Sequence, residues 1–433
     1  MKRLLIISPY FPPSNAADMQ RIRLSLPYFL QFGWEAEVVT VDDRYSESVY
    51  DKLLLQNLPE TVKVHKVRAL NKQITSKVGL GSLALRAFWF YMRKVNTILT
   101  TQQFDLIYFS TTQFPICVLG AYWKKKFGVP YVIDFQDPWH SEYYLDKAKS
   151  QRPPKFWFSY RLNKYLEPVA LKQVDGLISV SAAYLTDLCK RYSRVKKIPS
   201  AVIPFGFDKS DLAVALKHQA DFPHILSTQS INLVYIGRGG EDMHRSIIPL
   251  FEALSDLLTA DDTGFSRLRI YFIGTSYAPN GSGKPSIIPL AHDYGIQDYV
   301  TEITDRIPFY HTLATLQHAD ALFIPGSDDA KYTASKLYPY LLSLKPILAI
   351  FNNESPALKT LHDCGVEFAY GYNQKSIDLN IKKFLKKLMA GTLTAPLYNQ
   401  SAIMEFEAVN MTRHQCDLFQ QVLANRLIKQ KTF

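Results

Sequence analysis

The chain alternates short apolar runs with segments whose apolar residues recur at helical spacing. The runs of the first half are RLLIIS, EAEVVTV, DLIYFS, PYVIDF and GLISVS, and those of the second half are INLVYIG, LRIYFIG, VTEI, ALFIPG and PILAI. Continuous apolar runs of this length are typical of parallel strands buried on both faces. The repeated order of strand, helix and strand predicts an α/β protein with two doubly wound, Rossmann-like domains.

The alternation stops and restarts once, and this interruption sets the predicted domain boundaries. The first domain is expected to cover residues 1–208 and to end with VIPFGFD. Residues 209–230 are polar and irregular, which favours a linker. The second domain is expected to cover residues 231–402, and residues 403–433 have a helical pattern. Two such domains would face each other across a central cleft lined by strand ends, where open parallel sheets bind ligands.

Composition narrows the class of protein. The 433 residues are enough for two or three domains, and 47% hydrophobic with 21% charged residues is ordinary for a folded chain. The net charge of +11 fits nucleic acid, an anionic membrane surface or a phosphate-bearing substrate. The cysteines are far apart and form no Cys-x-x-Cys pair, so we expect no zinc site or disulfide framework, and a cytoplasmic location.

The sequence has no apolar stretch as long as a membrane span, and its start lacks the apolar core of a signal peptide. The start has an apolar core of only Leu4 to Ile7, against ~7–15 residues in a secretory signal, so we predict a first buried strand. Residues 83–94 and 155–165 mix aromatic residues with Arg and Lys, which suits peripheral contact with an anionic membrane. Core helices with snorkelling ends fit the same pattern. Nucleic-acid binding would need a recognition motif that the sequence lacks, and we do not expect it.

Two glycine-rich segments resemble nucleotide-binding motifs but depart from them. In GRGGED, residues 237–242, the sixth position is Asp242 instead of Gly or Ala, so no nicotinamide or flavin site follows. In GSGKPS, residues 281–286, Pro285 replaces the Ser or Thr of a P-loop. Neither segment therefore predicts a dinucleotide cofactor or a P-loop.

The loop Gly237-Arg238-Gly239 follows a predicted strand directly. Glycines at that position let the backbone approach a ligand closely. A guanidinium at a strand end can bind two phosphate oxygens at once. We therefore expect Arg238 to bind phosphate, although an ordinary surface arginine in a flexible turn fits the same residues.

The segment YTASKLYPYLLSLKPILAI, residues 332–350, begins with polar residues that precede a predicted helix. Ser335 is the predicted N-cap, and Lys336 lies in the first turn, where the helix dipole favours an anion. Arg238 and Lys336 would then bracket one diphosphate. The alternative is one more exposed lysine. Pro339 falls within the first turn, where proline is tolerated.

Polar residues also follow strands of the first half. In YVIDFQDPWHSEY, Asp134, Asp137 and His140 come after a buried strand. Asp137 and His140 could transfer protons or bind sugar hydroxyls, or they could belong to a turn with a capping Asp and a satisfied His. In SPYFPPSNAADMQRIR, Asn15 and Arg21 would line the same cleft, with a solvated helix face as the alternative for the arginine.

The motifs SPYFPP, YVIDFQDPW, GLISVS, VIPFGFD, YIGRGG and SKLYPYL occur in an order that resembles retaining glycosyltransferases of the GT-B fold, of the family 4 type found in bacterial polysaccharide and lipopolysaccharide biosynthesis. The resemblance implies that the second domain binds a nucleotide-sugar donor and the first a glycan or lipid-linked glycan acceptor. Arg238 and Lys336 would hold the diphosphate without a metal or other cofactor, and Asp137 would face the transferred sugar. The final helix would pack back on the first domain.

The sequence departs from that family's pattern in several places, and the clearest is a pair of acidic positions in the second domain. Many members have two glutamates eight positions apart, and these positions hold Lys331 and Pro339 here. Asp329 is a candidate substitute for the first glutamate. A non-catalytic binding or scaffold protein with the GT-B fold therefore remains the alternative to an enzyme.

Overall fold

The computed structural model describes residues 1–46, 48–149, 152–153, 155–260, 263–278, 280–332, 334–393 and 397–431. The chain divides into two compact units. Unit 1 comprises Met1–Phe205 together with Ala408–Phe433, and unit 2 comprises Gly206–Glu407. No helix in the described ranges is both long and apolar enough to cross a bilayer.

Strands and helices alternate along both units. The strands are β1 (Lys2–Ile7), β2 (Trp34–Val41), β3 (Lys63–Val67), β4 (Leu106–Ser110), β5 (Tyr131–Phe135), β6 (Gly176–Ser179), β7 (Ser200–Val202), β8 (Ile231–Ile236), β9 (Leu268–Ile273), β10 (Val300–Ile303), β11 (Ala321–Pro325), β12 (Ile347–Phe351) and β13 (Phe368–Gly371). The helices are α1 (Gln20–Ser25), α2 (Lys72–Thr75), α3 (Leu83–Thr101), α4 (Val118–Phe127), α5 (Phe156–Leu171), α6 (Ala182–Arg191), α7 (Lys209–Lys217), α8 (Glu241–Thr259), α9 (Ile287–Asp293), α10 (Phe309–His318), α11 (Leu337–Leu342), α12 (Pro356–Asp363), α13 (Ile377–Met389), α14 (Gln400–Met404) and α15 (Ala408–Lys431).

The sheet of unit 1 is parallel, with the strand order β3-β2-β1-β4-β5-β6-β7 in the described chain. Alternate residues of β1 enter two different cores: Leu5 and Ile7 pack with α3 and α4, while Leu4 and Ile6 pack with α1 and α15. Because both faces are covered, the strand needs apolar residues at every position, which produces the continuous run seen in the sequence.

The sheet of unit 2 is also parallel, with the order β10-β9-β8-β11-β12-β13. In both sheets the first strand of the unit lies beside the strand that begins the second half, so the direction of winding reverses there. Ligands of open α/β sheets bind at this switch point. The two doubly wound domains predicted from the apolar runs are confirmed.

The segment 209–230, expected to be an irregular linker, instead begins with helix α7. Asp208 accepts a hydrogen bond from the Ser210 N–H at 2.8 Å and so caps the helix. Asp211 on α7 accepts a hydrogen bond from the Tyr310 hydroxyl of α10 at 3.0 Å. The expectation overlooked the capping aspartate and the apolar residues that follow it.

Helix α15 completes unit 1. The ring of Phe419 lies 5.5 Å from that of Trp34 and 5.1 Å from that of Tyr108. The buried Gln415 amide donates to the Ser25 hydroxyl of α1 at 2.8 Å. The helix starts at Ala408, and the preceding helix α14, which includes residue 403, belongs to unit 2.

Candidate functional site

The two basic residues singled out in unit 2 follow neighbouring strands. Arg238 comes two residues after β8, and Lys336 lies in the connection between β11 and α11. Strands β8 and β11 are hydrogen-bonded neighbours at the point where winding reverses. Because carboxyl ends of parallel strands share one edge of the sheet, this topology brings two loops distant in sequence to the same place.

The ammonium of Lys336 lies directly beside Gly237. Its Nζ is 2.9 Å from the Tyr235 hydroxyl and 4.9 Å from the centre of that ring. A Cβ atom at Gly237 would lie 1.8 Å from Nζ. The lysine can occupy this position only because residue 237 has no side chain.

The surroundings of Lys336 are short of negative charge. No carboxylate among the described residues is an ion-pair partner of its half-buried side chain. Burial lowers the pKa of Lys336 to about 7, and the nearby positive charges of Arg238 and Arg306 add to this effect, while Asp242 opposes it. A bound anion would supply the negative charge that the described residues do not place in an ion pair with Lys336.

Arg238, by contrast, is already held by a carboxylate. Its two terminal nitrogens donate to the two Asp242 oxygens at 2.8 and 2.5 Å, and Ser327 donates to the same carboxylate at 2.7 Å. Burial by itself would raise the pKa of Asp242, but Arg238 and Ser327 hold it below its ordinary value. The guanidinium also lies 5.5 Å from the centre of the Tyr332 ring. Arg238 is therefore fixed in place before any ligand arrives.

The loop that carries Arg238 is anchored on its other side by β9. The Gly239 N–H donates to the carbonyl of Thr275 at 2.7 Å, and a Cβ at Gly239 would lie 2.9 Å from the Thr275 Cβ. The Thr275 hydroxyl donates in turn to Glu302 at 2.7 Å. Glu302 also accepts the backbone N–H groups at the start of α9, from Ser286, Ile287 and Ile288. Nothing in the local sequence indicated this role of Glu302.

Two predicted features of the segment after β11 differ in the structure. Ser335 was expected to cap the helix, but α11 begins at Leu337, and Lys336 occupies the N-cap position in helical backbone conformation with no side-chain cap. Ser335 is exposed in the preceding turn. The N-cap prediction was therefore wrong, because the chain enters α11 through a continuous turn. Pro339 is the third residue of α11, as expected.

Asp329 stabilises the turn before this helix. Its carboxylate accepts the Lys331 N–H at 2.9 Å, and its carbonyl accepts the Tyr332 N–H at 3.0 Å. The side chain is half-buried. These bonds give Asp329 a structural function in the loop, and a part in donor binding stays a prediction.

The switch point of unit 1 holds a carboxylate that sequence reasoning missed. Asp18, buried after the β1 loop, accepts hydrogen bonds from the Thr111 hydroxyl at 3.0 Å and from the Thr112 N–H and hydroxyl, both at 3.1 Å. Asp137, after β5, is exposed to water, yet partial burial raises its pKa to about 6, with the charge of Asp18 adding to the shift. The charge of Asp18 thus affects the protonation of Asp137 at the strand ends.

Arg21 and Asp134 meet inside unit 1. The Arg21 Nε donates to Asp134 at 3.0 Å, and its terminal nitrogens donate to the carbonyls of Pro204 and Ile203 at 2.7 and 2.6 Å. Tyr108 donates to the same carboxylate at 3.1 Å. The side chains of the pair are 2% and 0% exposed. This enclosure favours a structural role over the acceptor contact that the sequence led us to expect.

The other two acceptor candidates differ in environment. His140 is buried, and its ring lies 4.9 Å from the Tyr160 ring. The backbone N–H of His140 donates to the Glu167 carboxylate at 3.0 Å. Burial lowers the pKa of His140, with Arg191 adding to the effect. Asn15 is half-buried and its backbone N–H donates to the Val49 carbonyl at 2.8 Å. Acceptor binding by either residue stays a prediction.

Comparison with known proteins places this geometry in context. Residues 28–211 match the model of Glycosyltransferase Family 4. No curated protein sequence is significantly similar to the chain. Solved structures share the fold over nearly the whole length: sucrose-phosphate synthase from Thermosynechococcus elongatus has a TM-score of 0.63 at 13% identity, covering 98% of this chain and 100% of that one.

Two further structures are similar over their full length. Anabaena HepE in complex with UDP-glucose has a TM-score of 0.55 at 16% identity, covering 99% of this chain and 100% of that one. The apo form of the lipopolysaccharide outer core galactosyltransferase WaaB has a TM-score of 0.54 at 12% identity, covering 98% and 99%. These matches confirm the fold expected from the motifs: the chain has the GT-B fold of two Rossmann-like domains, and its residues 28–211 match Glycosyltransferase Family 4.

Proposed function

We propose that this protein transfers a sugar from a nucleotide-diphosphate-sugar donor to a glycan or lipid-linked glycan acceptor. The observation that carries the proposal is the position of Lys336 beside Gly237, next to the fixed Arg238, at the switch point of unit 2. The charge of Lys336, which has no carboxylate partner in the described site, and the neighbouring guanidinium of Arg238 together suit a diphosphate. The HepE structure with UDP-glucose supports the choice of donor.

The chemistry assigned to the two cations is stabilisation of the leaving group. The bond between the anomeric carbon and the diphosphate oxygen breaks, and its electron pair leaves with the nucleoside diphosphate. Lys336 and Arg238 neutralise the charge that develops on that oxygen, and such preorganised charges are usually the largest contribution to catalysis. The acceptor hydroxyl bonds to the anomeric carbon, and its proton passes to the departing diphosphate. We propose that the anomeric configuration is retained and that no metal is required.

On the acceptor side we assign Asp137 to the transfer region. Its raised pKa, about 6, brings the carboxylate close to the range in which it exchanges protons at neutral pH. Its exposure leaves it accessible to a sugar hydroxyl, unlike the enclosed Asp134. The name of WaaB, a galactosyltransferase of the lipopolysaccharide outer core, supports a glycan acceptor and a hexosyl donor. We further propose that the enzyme acts in the cytoplasm at the inner face of the plasma membrane.

A panel of nucleotide sugars tests the proposal directly. Purified protein is incubated with each donor, and release of nucleoside diphosphate is measured with and without a chelator. We expect release from one nucleotide sugar, unaffected by the chelator, and its loss in Lys336→Ala. Lys359→Ala, which removes an exposed lysine on α12, is the matched control.

The alternative is a non-catalytic protein that binds nucleotide sugars. This alternative is favoured by Lys331 and Pro339, because many members of the glycosyltransferase family that the motifs resemble have glutamates at these two positions. A scaffold of that kind would bind a nucleotide sugar in calorimetric titration but release no nucleoside diphosphate from any donor. That combination of results would replace the enzyme by the binding protein.

A further inference from the structure

The positive charge of the chain is concentrated in two segments of unit 1. Residues 61–104 and 147–166 together contain 14 Lys and Arg and no Asp or Glu. The rest of the chain has 36 basic and 39 acidic residues, so these two segments account for the whole net charge of +11. A charge distributed in this way indicates a local anionic partner, since general solubility requires no such concentration.

The two segments contact each other in the structure. Lys155, immediately before α5, donates to the Ser76 carbonyl at 3.2 Å. A Cβ at Gly79 would lie 3.3 Å from the Phe158 ring, so the turn after α2 packs on the first turn of α5. The turn after α2 and the first turn of α5, one from each basic segment, therefore belong to one surface.

Large apolar side chains on this surface are left in water. Ile74 is 70%, Trp157 65% and Tyr165 71% exposed, and Leu80 is also exposed. They alternate with exposed Lys77, Arg161 and Lys164, and the Arg161 guanidinium lies 5.8 Å from the centre of the Trp157 ring. The carboxylate of Glu167, at the far end of α5, is buried and paired with Arg191 at 2.9 Å, so it does not reduce the surface charge.

We propose that this surface, formed by the turn 74–80 and the exposed face of α5 from Trp157 to Tyr165, docks unit 1 onto an anionic phospholipid bilayer. Tryptophan and tyrosine are favoured at the membrane interface, where the ring is apolar on one side and wet on the other. Aliphatic side chains insert among acyl chains, and each Lys or Arg near an anionic leaflet is attracted to it and strengthens binding.

The alternatives fit these residues less well. A second copy of the chain would bring two basic surfaces together and repel itself. Single-stranded nucleic acid would use stacked aromatic rings, but isoleucine and leucine offer no ring to stack on a base. The purpose of this docking surface rests on the proposed function, because an enzyme with a lipid-linked acceptor must reach that acceptor at the bilayer. Binding itself is measured without a sugar donor.

Co-sedimentation with vesicles tests the surface. We expect the protein to bind vesicles of phosphatidylcholine mixed with phosphatidylglycerol but not vesicles of phosphatidylcholine alone. High salt should release the protein from the mixed vesicles. Arg161→Glu/Lys164→Glu should weaken binding at least roughly tenfold, and Trp157→Ala/Tyr165→Ala should weaken it at constant charge. The control Lys196→Glu/Lys197→Glu makes the same change in charge on exposed residues before β7 and should bind as wild type.

Each variant counts as folded if its affinity for UDP-glucose and its thermal unfolding midpoint equal those of wild type. Equal binding to neutral and anionic vesicles, equal loss in the control variant, or no vesicle binding at all would overturn the proposal. Binding of single-stranded RNA in place of vesicles, lost in Arg161→Glu/Lys164→Glu, would replace the bilayer by nucleic acid. If wild type binds vesicles but no nucleotide sugar, the proposed function fails and the docking surface stands.

Discussion

The Nζ of Lys336 occupies the space that a Cβ at Gly237 would need, at 1.8 Å from its ideal position. The glycine therefore does more than permit a tight turn, because it creates the recess in which the ammonium meets the Tyr235 hydroxyl. The two residues are 99 positions apart and act as one unit, so changing either should affect the other.

Replacing Gly237 by alanine should displace Lys336 from its position. We expect Gly237→Ala to weaken UDP-glucose binding by about 1.5–3 kcal/mol, the value of a hydrogen bond to a charged group. Calorimetric titration measures the change. Gly81→Ala, where the nearest atom to a new Cβ is 3.9 Å away, is the control and should bind normally. A folded Gly237→Ala protein with wild-type affinity would show that the recess does not serve the ligand.

The ion pair between Arg238 and Asp242 should appear as energetic coupling. Arg238→Ala leaves the partly buried Asp242 carboxylate without its ion-pair partner, although Ser327 still donates to it, and this should lower the free energy of unfolding by about 1–3 kcal/mol. Arg238→Ala/Asp242→Ala should cost less than the sum of the single changes, with a coupling of about 0.5–3 kcal/mol. Denaturant unfolding gives these values.

The exposed pair Arg44 and Asp42 is the control for that cycle. Its arginine side chain is 79% exposed, so solvent screens the pair and the coupling should be much weaker than that between Arg238 and Asp242. Additive effects at Arg238 and Asp242 would mean that the guanidinium is not held in solution as it is in the structure.

Binding of UDP-glucose should depend on pH through Lys336. The pKa of Lys336, about 7 in the free protein, rises when a diphosphate binds next to it, because an anion favours the charged amine. Binding then takes up a proton above pH 7, so affinity should be highest below pH 7 and fall at higher pH, by roughly tenfold per pH unit at most. UDP-glucose is the suitable probe since its phosphates are diesters and do not titrate near neutrality.

Lys336→Arg supplies the control for pH, because arginine keeps its charge throughout this range. Its affinity for UDP-glucose, whatever its absolute value, should be flat from about pH 6 to about pH 9. A wild-type affinity that is equally flat would contradict a role for the lysine charge.

Substitution of Asp134 should reduce stability, whereas substitution of Asp137 should reduce activity. Asp134→Ala leaves Arg21 buried without its partner and should lower the free energy of unfolding by roughly 3–5 kcal/mol. Asp137→Ala removes a carboxylate whose raised pKa makes its ionised form unfavourable in the folded protein, so stability at neutral pH should stay the same or rise while sugar transfer falls. Denaturant unfolding and a transfer assay measure the two effects. The reverse pattern would restore Asp134 as the functional residue.

The sequence predicted strands such as β8 and β11, whose apolar runs are unbroken, but it missed β13, whose four residues are all buried. It did not predict β3, whose residues Lys63–Val67 alternate in burial at the edge of the sheet. Long-range pairing was also out of reach: the contact of Tyr235 with Lys336 depends on β8 lying beside β11, which no local pattern encodes. The bond from Arg238 to Asp242, four residues on at the start of α8, could have been found from its spacing.

The most direct test of the donor site is titration of UDP-glucose into wild type, Lys336→Ala and Arg238→Ala, with Lys359→Ala as the matched control. We predict that each of the first two variants loses about 1.5–3 kcal/mol of binding free energy while the control binds as wild type. Unchanged affinity in both Lys336→Ala and Arg238→Ala would contradict the assignment of a nucleotide-sugar site to the switch point of unit 2.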